Sequence, residues 1–239
     1  MLTLIRSTLF TVILFGSVVP HSLLIVLVRP FGYRTSYRVM MLWAHATLWL
    51  CKKICGLDFQ TEGQQNIPDK ASVVLLKHSS TYETIVQLLL FPCQTWVLKR
   101  ELMWAPFLGW GLAALRPIAI NRSAGRAAVQ QVVEKGRQRL EEGTWIMIFP
   151  EGTRMKPGAT RPYGLSGTLL AQESGRVLVP VAHNSGNFWP RRGLRKYRGT
   201  VRFCIGPPVD PAGKDPRAVN AEVQNWIEEK VAEMNRQSE

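Results

Sequence analysis

Two short stretches combine residue types that can move a proton and hold an anion. The first is Lys77-His78-Ser79-Ser80-Thr81-Tyr82-Glu83. An imidazole near the positive end of a helix dipole is favoured in its neutral form, the form a general base needs. A carboxylate five residues on can fold back onto the ring, fix its tautomer and stabilise the imidazolium formed in a reaction. In such a pair the substrate's own hydroxyl serves as the nucleophile. Ser80-x-x-Glu83 equally reads as a helix capping box, and a cap could hold the base in place. The second stretch is Phe149-Pro150-Glu151-Gly152-Thr153-Arg154. Its glycine lets a backbone N–H approach an anion, and its arginine offers a rigid two-pronged fork to a phosphate. A solvated turn with a surface arginine is the plainer alternative.

Both stretches follow apolar runs that read as buried strands, at residues 72–77 and 144–149, and active sites in open α/β sheets gather where strands end and helices begin. Further strands are expected at 95–98, 116–120, 177–182 and 200–205, with helices at 81–91 and 124–142. A C-terminal helix places Val219, Val223, Trp226, Ile227 and Met234 on one face. This alternation predicts a layered α/β domain, residues 56–239, with a mixed, largely parallel sheet flanked by helices.

Residues 1–55 differ. Ser7 to Val28 carries no charged residue and is long enough to cross a bilayer, with Pro20 and His21 in mid-run. A second apolar run, Val39 to Cys51, is too short to span. The first run could span once, or the two could form a hairpin seated in one leaflet; the short second run favours the hairpin. Arg29, Arg34 and Arg38 between them place the following domain on the cytoplasmic side, at an inner membrane.

With 239 residues and 46% hydrophobic content, the chain can bury one sizeable core. Its net charge of +13 calls for an acidic partner, and without zinc-finger spacings or RNA-binding aromatics, anionic lipid is preferred over nucleic acid. Cys51, Cys55, Cys93 and Cys204 lack metal-ligand spacing and read as reduced thiols, so no metal is expected. His183, just past a strand, reads as a structural histidine or a second polar site residue. The basic stretch 189–202 reads as a solvated loop or as a contact for lipid headgroups or an acidic protein, with Trp189 and Tyr197 suited to an interface.

Four segments in order resemble the glycerolipid (lysophosphatidate-type) acyltransferases. They are His78-x4-Glu83; Lys99-x2-Leu102-x3-Pro106-x2-Gly109 leading to Ile120-Asn121-Arg122; the intact block Phe149–Arg154; and Val179-Pro180-Val181. The resemblance covers about half the chain and implies transfer of a fatty acyl group from an acyl-CoA or acyl carrier protein thioester to the sn-2 hydroxyl of a 1-acyl-glycerol-3-phosphate, giving phosphatidic acid. It implies His78 as general base oriented by Glu83, with Lys99 and Arg154 holding the substrate phosphate. Glu151, Gly152 and Thr153 would shape that pocket, and Arg122 would be a further phosphate or structural contact. It implies no cofactor or metal. Three positions depart from the pattern: Glu83 for Asp, Asn121 for Asp, and Gly164 where many members carry Lys, which leaves room for a different lysolipid acceptor. A membrane-anchored thioesterase would need a nucleophile elbow, and no Gly-x-Ser-x-Gly is present. A non-enzymatic module binding anionic lipid is the other alternative.

Overall fold

The computed structural model describes residues 1–237. A seven-stranded sheet forms the centre, built from β1 (Leu57–Glu62), β2 (Val73–Leu76), β3 (Gln94–Lys99), β4 (Ile118–Ile120), β5 (Trp145–Ile148), β6 (Leu178–His183) and β7 (Gly199–Ile205). The spatial order is β1-β7-β6-β2-β5-β3-β4. Neighbours are parallel except β6 and β7, so β1 and β7 run against the other five.

The helices are α1 (Leu2–Val28), α2 (Tyr33–Cys55), α3 (Tyr82–Leu90), α4 (Leu108–Ala114), α5 (Arg126–Glu141), α6 (Ser166–Glu173), a single turn α7 (Ser185–Phe188), and α8 (Pro216–Arg236). The central strands are buried on both faces, which is why their sequences are unbroken apolar runs. Along β2, Val73 and Leu75 face a layer formed by α5, α6 and α8. Val74 and Leu76 face the opposite layer, which contains α1, α2 and α3.

That second layer shows what the N-terminal hairpin does. Phe10, Leu14 and Ile25 of α1 and Ala44, Leu48 and Cys51 of α2 share one buried cluster with Met147, Val179 and Val181 of the sheet. The hairpin is therefore one wall of the core, not a tether in front of it. α2 is longer than its apolar run because it is amphipathic: Ala44, Thr47, Leu48, Cys51 and Cys55 recur at helical spacing on its buried face. Gly56, at φ +70°, ends α2 and turns the chain into β1. α1 continues through Pro20 as one helix. It is long and apolar enough to cross a membrane by length and composition. Ile5, Leu9, Val12 and Phe15 lie on its exposed side.

Register explains how remote residues meet. β6, β2, β5 and β3 lie side by side and parallel, with Leu76 opposite Val181, Leu75 opposite Ile148 and Thr95 opposite Ile146. Lys99, the last residue of β3, pairs with Ile120 of β4. The segments that follow these five strands leave the sheet at one edge, where they bring together His78, Phe149–Arg154, His183–Ser185, Lys99 and Arg122.

Candidate active site

His78 follows the exit of β2 and is held from four sides. Its Nδ1 lies 2.9 Å from Oε1 of Glu83, in the first turn of α3. Its ring stacks on Phe149, with centroids 4.1 Å apart and planes inclined by 28°. Its backbone N–H donates to Oε2 of Glu151 at 2.8 Å, and its carbonyl accepts from the N–H of Met155 at 2.7 Å. Three of these contacts come from the loop after β5, so that loop acts as the cradle of the histidine.

Glu83 is fully buried. Its Oε1 also accepts from the backbone N–H groups of Ser79 (3.0 Å) and Ser80 (2.8 Å), and its Oε2 accepts from the Ser185 hydroxyl at 2.8 Å. The Ser80 hydroxyl in turn accepts from the N–H of Tyr82 at 3.1 Å. The helix-cap and base-partner readings of Glu83 are thus one arrangement. Burial pushes its carboxyl up, but the His78 hydrogen bond and the Ser80 N–H outweigh it and hold it down at about 2. An ionised Glu83 requires the proton on Nδ1 of His78. Nε2 keeps its lone pair, and among the described residues it has no partner.

The ring faces a cavity of about 390 Å³. Its lining includes the cations Lys99, Arg122 and Arg154 together with apolar side chains of the hairpin, α3 and α4, among them Leu14, Val18, Ile25, Met40, Leu88 and Leu112. The side chain of Lys99 is half-exposed, with Glu101 at 3.7 Å. Arg154 has a buried Nε with no partner among the described residues. Arg122 lines the cavity and donates to the Gly152 carbonyl, tying the loop after β4 to the loop after β5.

Each residue singled out in the sequence is present at this edge, but they divide into two groups. His78, Lys99, Arg122 and Arg154 line the cavity. Glu151 does not. Its side chain is buried, with Oε1 2.7 Å from Nζ of Lys77 and Oε2 on the His78 N–H. A carboxylate engaged in this way supports the histidine. Gly152 and Thr153 also lie outside the cavity lining; Gly152, at φ +67°, makes the turn that returns Arg154 to the site. Trp189, expected at an interface, is instead buried edge-on against Phe10, 5.8 Å between centroids, whereas Tyr197 is exposed.

Sequence reasoning missed Lys77. It is buried, and besides Glu151 it binds Glu228 of α8 (2.7 Å) and the Ala159 carbonyl (3.0 Å). Glu228 also accepts from the Tyr163 hydroxyl at 2.8 Å. A lysine ending an apolar strand is a detectable oddity, but nothing local points to a partner 151 positions away.

A family profile described as Acyltransferase matches residues 58–184. The chain is 39% identical over 236 residues to the 1-acyl-sn-glycerol-3-phosphate acyltransferase of Pseudomonas aeruginosa, covering 97% of this chain and 92% of that protein. The chain belongs to this acyltransferase family. It is also 30% identical over 180 residues to the enzyme of the same name from Borreliella burgdorferi, covering 74% of this chain and 70% of that one. The crystal structure of the 1-acyl-sn-glycerophosphate acyltransferase from Thermotoga maritima superposes with a TM-score of 0.79 at 22% identity, over 98% of this chain and 96% of that one. The acyltransferase therefore shares that fold from the hairpin to the C-terminal helix.

Proposed function

We propose that the enzyme acylates the sn-2 hydroxyl of 1-acyl-glycerol-3-phosphate to give phosphatidic acid, with His78 as the general base. One observation carries this reading: His78, whose Nε2 has no partner among the described residues, lines one cavity with three cations and many apolar side chains. A lysophosphatidate carries the matching groups: a phosphate, a free hydroxyl and an acyl chain. Lys99 and Arg154 hold the phosphate, with Arg122 beside them, and the apolar cavity takes an acyl chain.

Nε2 of His78 removes the proton of the acceptor hydroxyl as its oxygen attacks the thioester carbonyl. A C–O bond forms, the tetrahedral intermediate collapses with cleavage of the C–S bond, and the imidazolium returns its proton to the leaving thiolate. Glu83 stabilises the imidazolium in between. The protein supplies base, orientation and charge, and the chemistry calls on no metal or organic cofactor. The donor is an acyl-CoA or acyl carrier protein thioester.

The hairpin seats the enzyme in one leaflet of a membrane, with the catalytic domain in the cytoplasm. Two features support a helix that lies along the domain in preference to one that leaves it. Near its start, Ser7 accepts at 2.8 Å from the N–H of Lys196, whose buried ammonium also binds Thr11 and stands 4.5 Å from the Trp189 ring centroid. Further on, Ser22 packs so closely on Gly111 of α4 that an added Cβ there would lie 3.0 Å from its Oγ. Trp104, Phe107 and Trp110, in and just before α4, which packs on α1, are exposed and suited to an interface. The deciding experiment is a transfer assay of the purified enzyme in vesicles, with a panel of lysolipids and both donor types. Phosphatidic acid should be the main product; equal rates on lysolipids lacking a terminal phosphomonoester would overturn this acceptor assignment.

A further inference from the structure

Behind Glu83 lies a second buried layer that the chemistry above does not use. Ser185, the first residue of α7, is fully buried and places its hydroxyl 2.8 Å from Oε2 of Glu83. The neighbouring His183, at the end of β6, is buried as well. Its Nε2 lies 2.7 Å from the carbonyl of Lys77, the residue before His78. A carbonyl only accepts, so Nε2 carries the proton, and Nδ1 is left to accept from the Ser185 N–H at 3.2 Å. Burial holds the imidazole of His183 below its ordinary range and therefore neutral.

The Ser185 oxygen is also 2.9 Å from Nδ1 of His183. One hydroxyl proton cannot serve both neighbours. Nδ1 already receives an N–H, and the ionised carboxylate is the stronger acceptor, so the proton points to Glu83. Gly186 allows this approach: a Cβ there would sit 3.0 Å from the Ser79 side chain. The loop after β6 is thus pressed against the loop after β2 and clamped to both ends of the Lys77–Glu83 segment.

We propose that Ser185 is a positioning residue for acyl transfer, oriented by His183, which fixes the free oxygen of Glu83 and thereby aims His78. The inference rests on His78 being the base, as proposed above. It also accounts for the glutamate at position 83. One carboxylate oxygen serves the His78 ring and two backbone N–H groups, while the longer side chain carries the other to a hydroxyl on a different strand's loop.

The test measures kcat, KM, melting temperature and the pH profile of kcat/KM for Ser185→Ala, in wild type and in a Glu83→Asp background. Ser185→Ala should lower kcat about tenfold, equivalent to ~1.4 kcal/mol of lost orientation, with KM for lysophosphatidate within roughly twofold. A Glu83 with fewer donors binds the imidazolium more strongly, so the acid limb should move to higher pH. The other charged or titratable groups facing this network are His183, Lys77 and Glu151, with Lys99, Arg122 and Arg154 across the cavity, and the substitution leaves them all in place. In the Glu83→Asp enzyme the shorter carboxylate withdraws from Ser185, and the same substitution should cost much less. An equal cost in both backgrounds, or an acid limb that stays put while activity follows melting temperature, would overturn the positioning role. If His78→Ala keeps full activity, the parent reading fails instead, and the two failures are told apart.

Discussion

The two ends of the polar site are built differently. At the base end, His78 has its ring, N–H and carbonyl all engaged, and Glu83 accepts four hydrogen bonds in a fully buried setting. At the cation end, Lys99 is half-exposed and Arg154 keeps a buried Nε that has no partner among the described residues. A base must be oriented before the reaction, because any freedom in its ring is paid for in the barrier. A phosphate grip can stay loose until the ligand supplies the missing acceptor. Under the proposed function, the base end sets rate and the cation end sets affinity.

The largest effect that would break this contrast is at the base itself. His78→Ala should lower kcat by roughly 100- to 10,000-fold, the usual contribution of a positioned general base, with melting temperature nearly unchanged. Glu83→Gln comes next. It keeps the shape but removes the charge that stabilises the imidazolium, so kcat should fall by about 100-fold or more; a loss confined to KM would move Glu83 out of the chemistry.

At the other end, Arg154→Ala should raise KM for lysophosphatidate by about 10- to 100-fold, the value of a hydrogen bond to a charged group, with kcat changed far less. The same substitution should have little effect on an acceptor without phosphate. The smallest effect concerns Glu151, whose carboxyl burial raises from an ordinary 4.5 to about 7, against the opposing pull of Lys77. A folded-state pKa above the unfolded one contributes stability that is complete below about 4.5 and lost as pH rises through about 7. The melting temperature of Glu151→Gln, relative to wild type, should therefore improve between pH 5 and 8; a difference that does not vary with pH would count against a raised Glu151.

Much of this arrangement was legible in the sequence, for identifiable reasons. Strands buried on both faces are continuous apolar runs, so β2, β5 and β6 stood out, and their exits located His78 and the block Phe149–Arg154. The edge strand β1, LDFQTE, is half-exposed and carries no such run, and the short α4 and α6 are likewise without a long periodic pattern. The hairpin was legible as two apolar segments, but its service as a core wall was not, because hydropathy does not say what covers a helix. Within the site, the residues proposed to meet substrate stood out by their types. Contacts between residues far apart in the chain were not legible: Lys77 with Glu228, Glu151 with the His78 N–H and Ser185 with Glu83 are all set by strand register over long separations.

The division between chemistry and grip comes down to one comparison: lysophosphatidate binding by His78→Ala in vesicles without acyl donor, set beside its transfer rate with donor. Binding should match that of the wild type, with almost no phosphatidic acid formed. Binding lost together with transfer would contradict it and make His78 part of the grip.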